Sequence, residues 1–316
     1  MGPSRLTSGD DDLFALYPCR SYFYVVPFYA RSCSSGAGTR RFVRVSMRRA
    51  MPSWEHDQAV KTRRELVSAA NLNYAGSYRK LAEHSADGEI REMGRVFAFV
   101  TGVPIPLFNG CVVGSATAEE LEAAVEWVRE WGLPYRVWMD DKVAPSLRDV
   151  AIALGLERDP WVLPGMVLCP PTEAPPNAPA VTVERVTETG LAAWLAVLTD
   201  GGLTQDLADR LFPRSFAADP DIRLFVALLN GRPVGTSIAI RTGDVSGVYG
   251  VGTLPGARRR GVGTAAAWAA VEAGRAWDCG AIVLQASEMG FSSYAKMGFR
   301  TVVRYATFGQ ASSVSR

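Results

Sequence analysis

The stretch VYGVGTLPGARRRGVGTAAAWAAVEAG, Val248 to Gly274, decides the fold. It runs from a strand-like, glycine-bearing segment through three consecutive arginines, Arg258 to Arg260, into a run of alanines that reads as a helix. Adjacent like charges repel and glycine is a poor helix former, so this turn is locally unfavourable and needs a reason. A glycine-rich turn between a strand and a helix supplies one. The first backbone N–H groups of the helix are unpaired and carry partial positive charge, which suits a bound phosphate. Gly261 and Gly263 let the main chain come close to such a group, and the arginines add cations.

Three phosphate-binding patterns compete for this turn. A Walker A loop fails because no lysine follows the glycines. A dinucleotide fingerprint is formally present as Gly261-x-Gly263-x-x-Ala266, but Leu254 to Arg260 separate it from the strand, and the next strand ends at Gln285 and not on an acidic residue. The third pattern, the pyrophosphate loop R/Q-x-x-G-x-G/A of coenzyme A enzymes, matches Arg258-Arg259-Arg260-Gly261-Val262-Gly263 in residues, spacing and context.

Working outward, Val245 to Thr253 reads as a strand and Gly261 to Trp277 as a helix, with Val262, Ala265, Ala266, Ala269, Ala273, Ala276 and Trp277 on one face. Gly280 ends that helix, Ile282 to Gln285 is a strand, Phe291 to Met297 a short helix, and Phe299 to Phe308 a last strand. Upstream, Ile222 to Leu229 and Pro233 to Arg241 are strands joined by Asn230-Gly231, a strong hairpin signal. Val181 to Val186 is a strand, followed by helices around Leu191 to Leu198 and Gln205 to Phe212. Hairpins first and strand-helix-strand-helix-strand afterwards describe a mixed α/β sheet.

The segment Cys169 to Ala180, CPPTEAPPNAPA, holds five prolines and reads as an extended linker. Before it, Gln58 to His84 has helical spacing, with Leu66, Ala69, Ala70, Asn73 and Tyr74 on one face. Strands follow at Gly94 to Thr101 and Phe108 to Gly114. Thr117 and Glu120 form a capping box for a helix to Trp131, whose stripe is Leu121, Ala124, Val125 and Val128, and Gly132 ends it. Tyr135 to Met139 is a strand, Pro145 to Leu154 a helix, and Trp161 to Leu168 a strand.

At 316 residues and a net charge of +2 the chain has room for two domains and no basic surplus that would indicate a nucleic-acid partner. Residues 1 to 50 carry eight arginines against three aspartates, and 1–57 reads as a disordered extension or as sequence before a start at Met47 or Met51. Five scattered cysteines, Cys19, Cys33, Cys111, Cys169 and Cys279, without a CxxC pair, read as reduced thiols and a cytoplasmic location. His56 and His84 read as surface residues, and no metal site is expected. The longest apolar run, YFYVVPFYA from Tyr22 to Ala30, is too short to span a membrane, so no membrane partner is expected.

Together with AIVLQASEMGFSSYAKMGF, Ala281 to Phe299, the opening stretch resembles the acetyl-CoA-binding half of the GNAT superfamily of N-acetyltransferases. The resemblance is sharp over Val245 to Phe308 and consistent in element order back to Val181. It implies a mostly antiparallel GNAT-type sheet flanked by helices, acetyl-CoA as co-substrate, and transfer of acetyl to a primary amine by direct attack in a ternary complex. It further implies that Val251, Gly252 and Thr253 bind the pantetheine arm through their backbone, and that Arg258, Arg259, Arg260, Gly261, Val262, Gly263 and Thr264 hold the pyrophosphate. Tyr294 falls where the family commonly places the acid that protonates the departing thiolate, and a phenol has a proton to give. Ser287 stands where the family often has an asparagine at the cofactor. The strand VSGVYGVGT contains no carboxylate, which leaves Glu288, Asp244 and water as candidates to deprotonate the amine.

Val150 to Leu163, VAIALGLERDPWVL, is similar to Ser293 to Ala306, SYAKMGFRTVVRYA, with Leu154-Gly155-Leu156 opposite Met297-Gly298-Phe299. Both follow strand-helix-strand-helix, so the sequence predicts two tandem GNAT-like domains, 58–168 and 181–316, joined by the linker 169–180. Ala151 stands opposite Tyr294, and the turn after Val113 has neither an arginine nor a G-x-G, so the first copy is expected to bind no CoA. The expected partner is a small-molecule or peptide amine, with a homodimer left open. Asp206 and Asp209 are candidates to attract a cationic acceptor, against a solvated acidic face. A non-catalytic acyl-CoA sensor or structural module is the alternative function, and a nicotinamide oxidoreductase rests only on the weak dinucleotide match.

Overall fold

The computed structural model describes residues 61–176, 180–187 and 190–310; the expected extension 1–57, the start of the expected first helix, and residues 177–179 of the linker lie outside them. The first helix, α1 (Arg63–His84), is started by a capping box in which the Thr62 hydroxyl accepts the Glu65 N–H while the Glu65 carboxylate accepts the Thr62 N–H. Its expected stripe is buried, and the burial continues through Ser77, Tyr78, Leu81 and Ala82. The first half continues with β1 (Glu89–Met93), β2 (Val96–Val100), β3 (Asn109–Val113), α2 (Ala118–Glu130), β4 (Arg136–Asp140), α3 (Arg148–Ala153) and β5 (Leu156–Leu168). The second half comprises β6 (Val181–Arg185), α4 (Leu191–Asp200), α5 (Gln205–Leu211), α6 (Arg214–Ala218), β7 (Ile222–Leu229), β8 (Arg232–Thr242), β9 (Val245–Thr253), α7 (Val262–Ala276), β10 (Ala281–Gln285), α8 (Glu288–Lys296) and β11 (Arg300–Gln310).

All eleven strands form one sheet in the order β1-β2-β3-β4-β11-β5-β10-β9-β8-β7-β6. Neighbours are antiparallel except for β3 with β4 and β9 with β10, which are parallel. The order reads symmetrically about the β11–β5 pair. Each half supplies a parallel pair, each pair is followed by a helix leading to a final strand, and each final strand lies beside the parallel pair of the other half. Thus β5 lies between β10 and β11, and β11 lies between β4 and β5. Gly155 and Gly298, which stand opposite each other in the two halves, both turn into these strands with positive φ, 68° and 97°.

Strand side chains alternate between two layers, as the period of two requires. One face packs on α1, α4, α5 and α6 around Phe99, Trp138, Val283, Ile240 and Tyr305. The other packs on α2 and α3 in the first half and on α7 and α8 in the second. Because α1 crosses from β2 to β10, its core joins both halves. Polar contacts fasten the same junction: Lys80 pairs with Asp219 at 2.8 Å, the His84 ring nitrogen lies in hydrogen-bond contact with Asp219 at 3.0 Å, and Arg210 pairs with Asp87 at 3.1 Å. His84, expected at the surface, is therefore a partly buried tie between α1 and the start of β7.

The hairpin at Asn230-Gly231 forms as expected, with both residues at positive φ, 51° and 77°, as a two-residue turn of the primed type requires. Thr117 and Glu120 form the expected box, and Leu121, Ala124, Val125 and Val128 are fully buried. Other expectations change. The edge strand β1, EIREM, was not anticipated because Glu89, Arg91 and Glu92 are exposed and its two apolar residues, Ile90 and Met93, do not alternate. β5 begins at Leu156, because the polar stretch from Glu157 pairs with β11 although it reads as a loop. α8 begins at Glu288, capped by Ser287. α7 buries Val262, Ala265, Ala266 and Ala273 of the expected face and also Ala267, Trp268, Ala270, Val271 and Gly274, with Ala269 and Trp277 half-buried and Ala276 exposed. That helix ends through Asp278 in the left-handed region, ahead of Gly280.

Candidate active site

The parallel strands β9 and β10 pair only at Val245 with Ala281, Ser246 with Ile282 and Gly247 with Val283. Beyond this β9 runs on to Thr253 without β10, so the two strands part like a fork. A bulge accounts for the divergence. The register of β9 with β8 slips between Tyr249 and Gly252, Gly250 adopts a positive φ of 55°, and the Thr236 hydroxyl donates to the Gly250 carbonyl at 2.9 Å. Tyr249 to Thr253 are half-buried along this open edge. In the first half, by contrast, β3 stays paired with β4 to its last residue, Val113 with Met139, and no fork forms.

Beyond Thr253 the chain makes a short 3-10 turn at Pro255–Ala257, and the Arg258 guanidinium donates back to the Thr253 carbonyl at 3.3 Å. Arg259 and then Gly261 take positive φ, 58° and 83°, and Gly261 is the N-cap of α7. No side chain caps this terminus and its first turn holds no acid. Nor do the backbone N–H groups of Arg259 to Thr264 reach a backbone acceptor among the described residues. A row of free N–H groups turned by alternating backbone handedness is an anion-binding concavity. Arg259 and Arg260 are exposed beside it, and Arg258 is half-buried. A Cβ at Gly263 would lie 3.1 Å from the Thr253 hydroxyl, so the glycine keeps the helix end close to the fork.

On the opposite arm, α8 starts where β10 ends. The Ser287 hydroxyl caps it, accepting the Gly290 N–H at 3.1 Å, and Glu288 is exposed in its first turn. The Tyr294 ring lies over Gly290, where a Cβ would come within 2.7 Å of it, and meets Phe299 edge-on at 6.1 Å. Burial pushes the Tyr294 phenol up to about 12. Its hydroxyl makes no hydrogen bond among the described residues.

The loop residues, the edge of β9 and the start of α8 thus gather around the carboxyl ends of β9 and β10. Asp244 does not join them. It sits in the turn before β9, at the far end of the strand, where its ion pair with Lys61 at 2.6 Å holds its carboxyl below the usual range. Asp209 on α5 accepts from Gln205 at 2.9 Å, and Asp206 is exposed in the same helix. Among the described residues no group of three His, Cys, Asp or Glu side chains is placed to hold a metal ion, and no helix is long and apolar enough to cross a membrane.

Sequence reading missed the other wall of the fork. Tyr249 on β9 and Gln285 on β10 stand there with Asn73 of α1, and the Tyr249 hydroxyl donates to the Asn73 side-chain oxygen at 2.6 Å. The available signal was Asn73 itself, a polar residue inside an otherwise apolar helical stripe.

Residues 191–299 match the family described as Acetyltransferase (GNAT) family. A GCN5-related N-acetyltransferase from Kribbella flavida is similar in structure, with 19% identity and a TM-score of 0.57 over 77% of this chain and 95% of that one. A tandem GNAT protein from the clavulanic acid biosynthesis pathway gives 12% identity and a TM-score of 0.51 over 77% of this chain and 92% of that one. A GCN5-related N-acetyltransferase from Sphaerobacter thermophilus gives 14% and 0.50 over 79% and 93%. No curated protein matches the sequence.

Proposed function

Because residues 191–299 are a domain of the GNAT acetyltransferase family within a GNAT-type fold, we propose that this protein transfers the acetyl group of acetyl-CoA to a primary amine. The observation that carries this reading is the open fork of β9 and β10 leading into the uncapped, arginine-flanked start of α7. An extended, amide-bearing pantetheine arm suits the unpaired edge at Val251, Gly252 and Thr253, since backbone edges bind such groups as they bind a strand. The pyrophosphate would take the N–H groups of Arg259 to Thr264 and the cations of Arg258 to Arg260. Ser287 already accepts a backbone N–H, and its own proton is left to donate to a ligand.

In the reaction, the neutral amine attacks the thioester carbonyl. A C–N bond forms, the C–S bond breaks, the thiolate takes the proton of Tyr294, the attacking nitrogen releases its extra proton to water, and water reprotonates Tyr294. With its pKa raised to about 12, Tyr294 is fully protonated at neutral pH, and the same burial makes it a weaker proton donor than an ordinary phenol. The ammonium form of the acceptor first loses a proton to water or to Glu288, which is exposed three residues past the end of β10. The first half, 61–168, serves as a degenerate copy without a CoA site. Its β3 and β4 never part, Ala151 replaces the acid, and α1 and β5 complete the second half's fork.

The absence of any carboxylate on β9 favours a second reading, an acyl-CoA sensor without turnover. Thiol release by the full chain, measured with acetyl-CoA over a panel of amines, separates the two. Catalysis predicts release that falls about 10²-fold in Tyr294→Phe while acetyl-CoA still binds. Binding without release for any amine would leave the sensor.

A further inference from the structure

Val283 and Gly247 form the last closed rung between β10 and β9. Two residues further on, Gln285 and Tyr249 face one another across the first open rung and project to the same side, because side chains alternate with period two. That side is the one α1 covers. Val283, Val245 and Tyr249 pack in its core, whereas Ile282, Leu284 and Val248 pack in the opposite layer with Tyr294.

Tyr249 is fixed. Its hydroxyl donates to the Asn73 side-chain oxygen at 2.6 Å, and the Asn73 nitrogen is held by the carbonyls of Ile240 and Val245 at 2.9 and 3.3 Å. Burial pushes the Tyr249 phenol far above its ordinary range, so it remains neutral. Ser77, also beside it, donates its proton to the Tyr74 carbonyl at 2.8 Å. Gln285 differs from all of these. Its side-chain nitrogen is buried, the Tyr249 oxygen lies beside it, and because an amide nitrogen carries two N–H groups at least one of them has no partner among the described residues. A buried donor left unpaired is destabilising, and proteins retain such groups where a ligand completes them. On the neighbouring strand Gln285 stands beside Gly165, where a Cβ would come within 2.9 Å of the Tyr305 ring, so the space there is already filled.

We propose that Gln285 selects the acceptor, its side-chain N–H donating to a neutral carbonyl oxygen carried next to the reacting amine. The inference rests on the fork being the acyl-transfer site. The side chains that meet at this rung, Tyr249, Asn73, Ser77 and Gln285, are all neutral, so a carboxylate beside the amine would be desolvated with no countercharge. The fitting class is therefore the α-amino amide, as in an amino-acid amide or the N-terminal residue of a peptide. Free amino acids do not fit.

The test uses the full chain, acetyl-CoA, and matched pairs of acceptors: alanine with alaninamide, phenylalanine with phenylalaninamide. Thiol release gives kcat and KM, and calorimetry gives the acetyl-CoA Kd. The wild-type chain should prefer each amide at least about tenfold in kcat/KM. Q285L and Q285E, which both lack the N–H donor, should raise the amide KM by about tenfold or more with kcat and the acetyl-CoA Kd little changed, a pattern that a general loss of packing would not give. Wild-type turnover of free amino acids as readily as amides, or of neither, would overturn the assignment, as would an unchanged amide KM in Q285L. The wild-type ratio decides the matter even if neither variant folds. Failure of the wild-type chain to bind acetyl-CoA would remove the fork reading as well, which keeps the two failures apart.

Discussion

Single residues decide whether the fork can do chemistry. Desolvation pushes the phenols of Tyr294, Tyr249 and Tyr305 upward, Tyr294 to about 12 from an ordinary value of 10. A phenol whose folded pKa is raised holds its proton in the folded state after the unfolded chain has lost it. It therefore contributes its full stability below pH about 10 and loses it progressively as pH rises through the folded value. Denaturant midpoints should fall steeply above pH about 10, and Tyr294→Phe should flatten part of that fall. A midpoint independent of pH up to 11.5 would contradict the burial of these hydroxyls. Tyr294 entered as a candidate through the family resemblance, four residues before Gly298, and the structure places its ring on α8 over Gly290. Gln285 and Asn73 were not legible in the sequence, since their role depends on a strand pairing that stops at Gly247 and on a helix more than two hundred residues away in the chain from Gln285.

Elements shape the proposed binding surface. The start of α7 is open because Gly261 occupies the cap with no side chain to satisfy its N–H groups, at a φ of 83° that any other residue would strain to adopt. Gly263→Val should weaken acetyl-CoA binding by tenfold or more through bulk between Thr253 and the helix end, with little change in melting temperature. An unchanged Kd would show that the ligand does not approach this turn. At the other extreme of capping, α2 is closed by Thr117 and Glu120, so Thr117→Ala should destabilise the protein by about 0.5–2 kcal/mol in denaturant titrations without touching acetyl-CoA affinity. Elements with strong local signals, such as the capping box of α2 and the Asn230-Gly231 hairpin, could be read from sequence because their cause is local. β1 and the first residues of β5 could not, because only their neighbours in the sheet make them strands.

At the scale of the molecule, the two halves are joined by more than a linker. The repeat was visible in the sequence as Leu154-Gly155-Leu156 opposite Met297-Gly298-Phe299, yet nothing in it showed that the strands beyond these turns sit side by side, each flanking the other half's parallel pair. That arrangement predicts one cooperative unfolding transition for both halves. It also predicts that residues 181–316 alone, lacking β5 between β10 and β11, bind acetyl-CoA only when residues 61–176 are supplied with them. Independent binding by the isolated second half would refute the dependence. The central claim, that the fork and the bare start of α7 form an acetyl-CoA site, is tested most directly by calorimetric titration of the full chain and of a variant with Arg259, Gly261 and Gly263 all replaced. Saturable binding by the wild-type chain, lost in the variant, is the predicted result; no binding by the wild-type chain, or equal binding by both, would contradict it.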